Sequence, residues 1–186
     1  MRLKLSILLF IKELTMKSIR NAIVLLIMLS CTNISATGQI KSVTKVFILR
    51  HADKAGEDLS PEGQVRAREL KRVLGEAKID SIFSTDVPRT KHTAEVLAQS
   101  LELPVIVYNT EDVVISRVLK TCQGKRVLIV GHSNTVSSLI NKCGCTPPAS
   151  SNPNMSDNQF DNLFLVLVSK TKTCEVIHMK YGAVTP

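Results

Sequence analysis

Two stretches, Val46-Phe47-Ile48-Leu49 and Val127-Leu128-Ile129-Val130, are apolar without interruption, and each runs straight into a phrase carrying a histidine: Arg50-His51 after the first, Gly131-His132 after the second. Short apolar runs rich in β-branched residues are strands buried on both faces, the kind found in parallel sheets covered by helices. In open α/β sheets the ligand site is the crevice beyond the carboxyl ends of the strands. Both histidines and Arg50 are therefore expected in one cleft. Two imidazoles and a guanidinium gathered there suit a phosphate group.

From residue 39 onward the chain alternates apolar strands with amphipathic helices, the pattern of an α/β fold built from βαβ units. Val43–Leu49 is the first predicted strand. Ser60-Pro61-Glu62 opens a helix with a capping hydroxyl, a first-turn proline and a first-turn acid. Ala67, Leu70 and Leu74 form its inner face, and Arg66, Arg68, Lys71 and Arg72 its solvated one. Further strands are expected at Asp80–Phe83, Val105–Val107 and Arg126–Val130. Helices are expected from Pro88 (Ala94, Leu97 and Leu101 inward), near Asp112–Leu119 and at Thr135–Asn141. Gly144–Gln159 is rich in Pro, Ser and Asn without periodicity, and a loop that long reads as functional, one wall of the cleft. Leu163–Val168, apolar throughout, reads as a central strand, and Cys174–Met179 as a weaker one.

The net charge of +8 raises nucleic acid or a membrane surface as a partner. Half of that excess lies within residues 1–38, where Arg2, Lys4, Lys12, Lys17 and Arg20 stand against Glu13. The remainder contains no basic stripe interleaved with aromatics, which excludes a nucleic-acid binder. From Met16, the expected start of translation, Lys17 and Arg20 precede the apolar stretch Ala22–Leu29 and then small residues. That is the order of a secretory signal, leaving residues 39–186 as one domain. Ala36-Thr37-Gly38 offers a cleavage site before Gln39. Leu29-Ser30-Cys31 offers a lipoprotein-type box, with membrane attachment through Cys31 if it is used. Export makes disulfides chemically available to Cys122, Cys143, Cys145 and Cys174, and their three pairings stay open. Cys143-Gly144-Cys145 lacks a histidine or further cysteine at zinc spacing.

Four phrases occur in order: Leu49-Arg50-His51-Ala52-Asp53-Lys54, Leu59-Ser60-Pro61-Glu62-Gly63-Gln64, Ser84-Thr85-Asp86-Val87-Pro88-Arg89-Thr90 and Gly131-His132-Ser133-Asn134. Together they resemble the histidine phosphatase superfamily, which includes phosphoglycerate mutases, acid phosphatases and small phosphohistidine phosphatases. The resemblance implies a three-layer α/β/α sandwich with a mostly parallel central sheet, phosphoglycerate mutase-like. It implies His51 as the nucleophile that is phosphorylated in turnover, splitting one displacement into two. It implies Arg50 and Arg89 as the pair that grips the phosphoryl oxygens, and His132 as a donor to them. Arg89 falls in the first turn of its helix, where backbone N–H groups are expected to add to the anion site. No metal or cofactor is implied, because the cationic side chains fill that role.

The proton donor to the leaving group is the least determined part. Ser133 follows His132, so the form with an aspartate there is absent. Asp112 is the favoured donor, ahead of Glu111 and Asp53. A chain without a dedicated acid suits phosphoramidates. His92 and His178 read as structural or solvated, and Lys54 and Asp53 as a solvated pair. The resulting expectation is an exported phosphatase acting on small phosphomonoesters. The alternatives are a phosphohistidine protein phosphatase and a non-catalytic surface protein that binds anionic sugars or phosphates.

Overall fold

The computed structural model describes residues 43–185, apart from 152 and 172, together with Met16. The expected export signal and its processing points at Cys31 and Gln39 lie outside the described residues. In chain order the elements are β1 (Thr44–Arg50), β2 (Lys54–Ala55), β3 (Asp58–Leu59), α1 (Pro61–Leu74), β4 (Ser81–Ser84), α2 (Pro88–Ser100), β5 (Val105–Val107), α3 (Glu111–Thr121), β6 (Arg126–Gly131), α4 (Val136–Lys142), β7 (Asn162–Val168) and β8 (Cys174–Lys180). Single 3₁₀ turns lie at Gly75–Ala77 and Ala149–Ser151.

The main sheet runs β5-β4-β6-β1-β7-β8. Strands β5, β4, β6 and β1 are mutually parallel, β7 runs antiparallel to β1, and β8 antiparallel to β7. The side-chain alternation of a strand divides the apolar runs between two layers. Val46 and Ile48 of β1, with Val127 and Ile129 of β6, pack against Val114, Ile115 and Val118 of α3 and Leu139 of α4. Phe47, Leu49, Leu128 and Val130 pack on the other side against Leu70 and Leu74 of α1 and Ala94 and Leu97 of α2. Helices on both faces explain why these strands are apolar at every position. The fold is thus a mostly parallel sheet between two helical layers. Strand β7 lies one place from the sheet edge rather than at its centre, and β8 covers its outer side.

Ser60 caps α1 by accepting the Gly63 N–H, and Thr110 caps α3 by accepting that of Val113. One helical expectation is overturned: Arg66 is 4% exposed and does not belong to the solvated face of α1. The hairpin β2–β3, two residues per strand around Gly56 at φ 63°, is too short to leave a periodic signal.

Of the three cysteine pairings, the structure contains a bond from Cys145, just after α4, to Cys174 at the start of β8. Cys122 and Cys143 are buried free thiols. Burial pushes the Cys143 thiol up to about 12, so it carries no thiolate for metal or nucleophilic chemistry. A crosslink across a sequence separation of 29 restricts the unfolded chain, and loop-closure entropy puts its contribution at about 3–4 kcal/mol. Reduction, or Cys174→Ser, is expected to lower the Tm by roughly 10 °C. Calorimetry with and without reductant checks this, and an unchanged Tm would remove the bond from the list of stabilising features.

Candidate active site

Strands β1 and β6 are neighbours in parallel register, with Arg50 opposite Gly131, so their carboxyl ends finish side by side. The ladder continues one residue further, since the His51 N–H donates to the Gly131 carbonyl at 2.9 Å. This sets the two imidazoles edge to face, with ring centroids 5.5 Å apart. Gly131 leaves room for the turn that follows. A Cβ there would press on the hydroxyl of Thr135, which accepts the His132 N–H at 2.8 Å.

His51 is 3% exposed. Its Nδ1 lies 2.7 Å from the Ala52 carbonyl oxygen. A carbonyl only accepts, so Nδ1 carries the proton and Nε2 keeps its lone pair. Burial first, and then the charges of Arg50 and Arg89, hold the imidazole down to about 3 against the donor-stabilising effect of Ala52. Nε2 faces the Nε–H of Arg89 at 3.2 Å. A second relay fixes His132. The Thr90 hydroxyl has the carbonyls of Val87 (2.8 Å) and Thr85 (3.1 Å) to donate to. Its oxygen is then left to accept the Thr85 hydroxyl at 2.8 Å. Thr85 Oγ1 in turn accepts from His132 Nε2 at 2.9 Å. Burial and both arginines also lower His132, while Glu111 opposes them.

The two arginines are held from outside by separate loops. Arg89, the second residue of α2, donates from Nη1 to the Glu57 carboxylate at 3.0 Å, and its backbone N–H donates to the Glu57 carbonyl at 3.1 Å. The Lys91 N–H goes to the Val87 carbonyl. The expectation that open N–H groups at this helix start join the anion site is therefore corrected for Arg89 and Lys91: protein carbonyls take both. Arg50 donates from Nη1 to the carbonyls of Ser156, Asp157 and Gln159 at 2.9–3.2 Å. Its guanidinium lies 4.1 Å from the centroid of the Phe160 ring. Its Nε is buried without a partner, a donor left over for an anion. The 144–159 loop therefore reaches the cleft through its last residues, and the Met155 N–H, bonded to the Ser133 carbonyl, ties it to the β6 end.

Beside His51, the Thr93 hydroxyl accepts the Ala52 N–H at 2.9 Å and donates to the Arg89 carbonyl at 2.7 Å, joining the loop after His51 to the first turn of α2 that carries Arg89. Asp53 is not solvated. Its carboxylate receives Arg66 Nε at 2.6 Å, and the same guanidinium donates to the carbonyls of Tyr181 and Ala183.

His51, Arg50, Arg89 and His132 thus converge. Asp112 does not join them: its exposed carboxylate is ion-paired with Lys142 at 2.6 Å. Successive residues of a helix point about 100° apart, and it is the preceding Glu111 whose charge acts on His132. His92 pairs with Asp58, and His178 stacks on Phe164; both sit outside the cluster. Glu57, Thr85, Thr93 and Phe160 went unread in the sequence. Of these, only Thr93, one turn beyond Arg89 on the same helix face, carried a positional signal.

Both imidazoles resist protonation in the fold, whereas in the unfolded chain they take a proton near the ordinary value of 6.5. Between that value and about 3 the unfolded chain binds more protons. Stability is therefore intact above this window and is lost as pH falls through it. Thermal melts at neutral pH and near pH 4 are expected to show a falling Tm, and a smaller fall in His51→Ala. Equal falls in both proteins would contradict a buried neutral His51.

The sequence profile of the histidine phosphatase superfamily, branch 1, matches residues 46–110. No curated protein matches the sequence. Among solved structures, a protein described as mycobacterial hydrolase 1 shares the fold at TM-score 0.62 and 16% identity, over 76% of this chain and 100% of its own. A mycobacterial glucosyl-3-phosphoglycerate phosphatase does so at TM-score 0.57 and 16% identity, over 76% and 100%. The phosphoglycerate mutase of Plasmodium falciparum gives 0.52 and 14%, over 77% and 93%. The profile match covers the phrases around His51, Ser60 and Arg89, so residues 46–110 are similar to the histidine phosphatase superfamily, branch 1, and the domain shares its fold with these hydrolase, phosphatase and mutase structures.

Proposed function

We propose that the protein is an exported, metal-independent phosphatase that hydrolyses phosphomonoesters through a phosphohistidine on His51. The observation that carries this reading is the state of His51. Its Nδ1 proton is tied to Ala52, and its uncharged Nε2 points at the guanidinium of Arg89. A phosphoryl group between Nε2, the open Nε of Arg50 and the Nε of Arg89 has its oxygens on planar cationic donors while phosphorus faces the lone pair. Transfer forms the N–P bond as the ester P–O bond breaks, and water then reverses the geometry to release phosphate. His132 turns its Nε2–H from Thr85 to the phosphoryl oxygens as charge gathers on them. The two guanidinium groups supply the charge neutralisation that a metal ion provides in other phosphoryl transfers.

Glu111 fits the proton donor better than Asp112, which Lys142 already holds. This favours esters, whose alkoxide needs a proton, over phosphoramidates. Glu111→Gln is expected to lose about 10²-fold or more in kcat on an alkyl phosphate and little on p-nitrophenyl phosphate, whose phenolate leaves unaided. Asp112→Asn is expected to change neither. Equal losses on both substrates would remove Glu111 from that role. Hydrolysis by the purified protein is expected to survive chelator, and its loss there would overturn metal independence. Export is supported by the Lys17–Leu29 pattern and agrees with the Cys145–Cys174 bond. N-terminal sequencing of the mature protein tests it, with Gln39 or a lipid-modified Cys31 expected first.

A further inference from the structure

We propose that the carboxylates of Glu57 and Asp157 make the mouth of this pocket select phosphomonoesters with a positively charged leaving group, amino-alcohol phosphates ahead of hydroxy-acid phosphates. The inference rests on the phosphatase reading of the same pocket.

Each phosphate-binding arginine already has a carboxylate on its outer side. Glu57 Oε2 lies 3.0 Å from Arg89 Nη1, and Asp157 Oδ1 lies 3.9 Å from Arg50 Nη2. Both acidic side chains are open to solvent, at 82% and 100% exposure. Both sit on the loops that clasp the arginines, the β2–β3 turn and the 156–160 segment. The inner edges behave differently. Arg89 Nε faces His51, and Arg50 Nε has no partner. A phosphoryl group therefore meets donors inside, while whatever it is esterified to leaves past two carboxylates. With His51 and His132 uncharged, the cations of the cluster are Arg50 and Arg89, and Glu57 and Asp157 already offset them. A carboxylate or second phosphate on the leaving group enters this field unfavourably, and an ammonium favourably. Lys54, on the same hairpin and exposed, makes no ion pair among the described residues and is the side chain that could oppose the preference.

The test is kcat/KM of the full-chain protein for phosphoethanolamine, glycerol 3-phosphate and 3-phosphoglycerate, all of which release primary alcohols, with p-nitrophenyl phosphate alongside. The expected order is phosphoethanolamine, glycerol 3-phosphate, 3-phosphoglycerate, spanning roughly tenfold or more at low salt. In Glu57→Gln/Asp157→Asn the span is expected to collapse. The glutamine can still accept from Arg89, so the guanidinium keeps its place while the charge is gone. Asp157→Lys is expected to turn the preference toward 3-phosphoglycerate, and Lys54→Met to widen it in favour of phosphoethanolamine. A flat or reversed order in the wild-type protein, or a span unmoved by the double variant, overturns the preference while hydrolysis of p-nitrophenyl phosphate leaves the phosphatase reading standing. Hydrolysis of none of the four overturns both.

Discussion

His51→Ala is expected to lose at least about 10⁴-fold in kcat for p-nitrophenyl phosphate, the scale on which removing a covalent nucleophile acts. No other side chain in the cluster can substitute. His132 carries its proton on Nε2, where it is given to Thr85, so that nitrogen has no lone pair with which to attack phosphorus. Both arginines lack a lone pair at any accessible pH. The variant keeps its fold, because His51 contributes one buried imidazole that is costly to protonate, and its backbone N–H, which alanine retains, makes the bond to Gly131. Its melting temperature at neutral pH should stay close to that of the wild-type protein. A folded His51→Ala that still turns over within tenfold would mean that phosphoryl transfer goes directly to water.

The second large effect is on stability. Arg66→Met is expected to cost about 3–5 kcal/mol, the range for removing one partner of a buried ion pair, and to lower the Tm by roughly 10 °C. The guanidinium is 4% exposed and is the hub of three segments: the loop after His51 through Asp53, helix α1 on which it sits, and the chain end through the carbonyls of Tyr181 and Ala183. Methionine fills much of the volume but leaves the Asp53 carboxylate, itself 20% exposed, without its cation, and two carbonyls without a donor. Asp53→Asn should lose less, because the amide can still accept from Arg66. Since Asp53 lies two residues beyond His51 and its carbonyl receives the Ser60 N–H, some loss of kcat should accompany the loss of Tm. A Tm unchanged in Arg66→Met would show that water replaces the guanidinium at little cost.

What could be read before folding follows from how local each interaction is. The runs Phe47–Leu49 and Leu128–Val130 announced themselves because helices cover both faces of the sheet and every position had to be apolar. The histidines at their ends were legible for the same reason, since parallel neighbours finish on the same side. Arg66 was misread because its period fits a solvated helix face, and what buries it is an aspartate 13 residues back and a chain end more than a hundred residues on. The misplacement of Asp112 turns on the phase of a helix whose start is set by Thr110, a phase that puts its carboxylate on Lys142. The 144–159 loop shows no periodicity because it contributes backbone carbonyls to Arg50, and a carbonyl leaves no mark on side-chain identity. The clasp of Glu57 on Arg89 was hidden in a hairpin of two-residue strands.

The most direct test of a covalent phosphohistidine mechanism is rapid acid-free quenching of the enzyme during turnover of a phosphomonoester, followed by mass spectrometry under alkaline conditions that preserve phosphoramidates. One phosphoryl group on His51, lost on mild acid treatment and absent from His51→Ala, is the predicted result. Steady turnover with no phosphorylated residue, or with phosphate on any side chain other than His51, would contradict it.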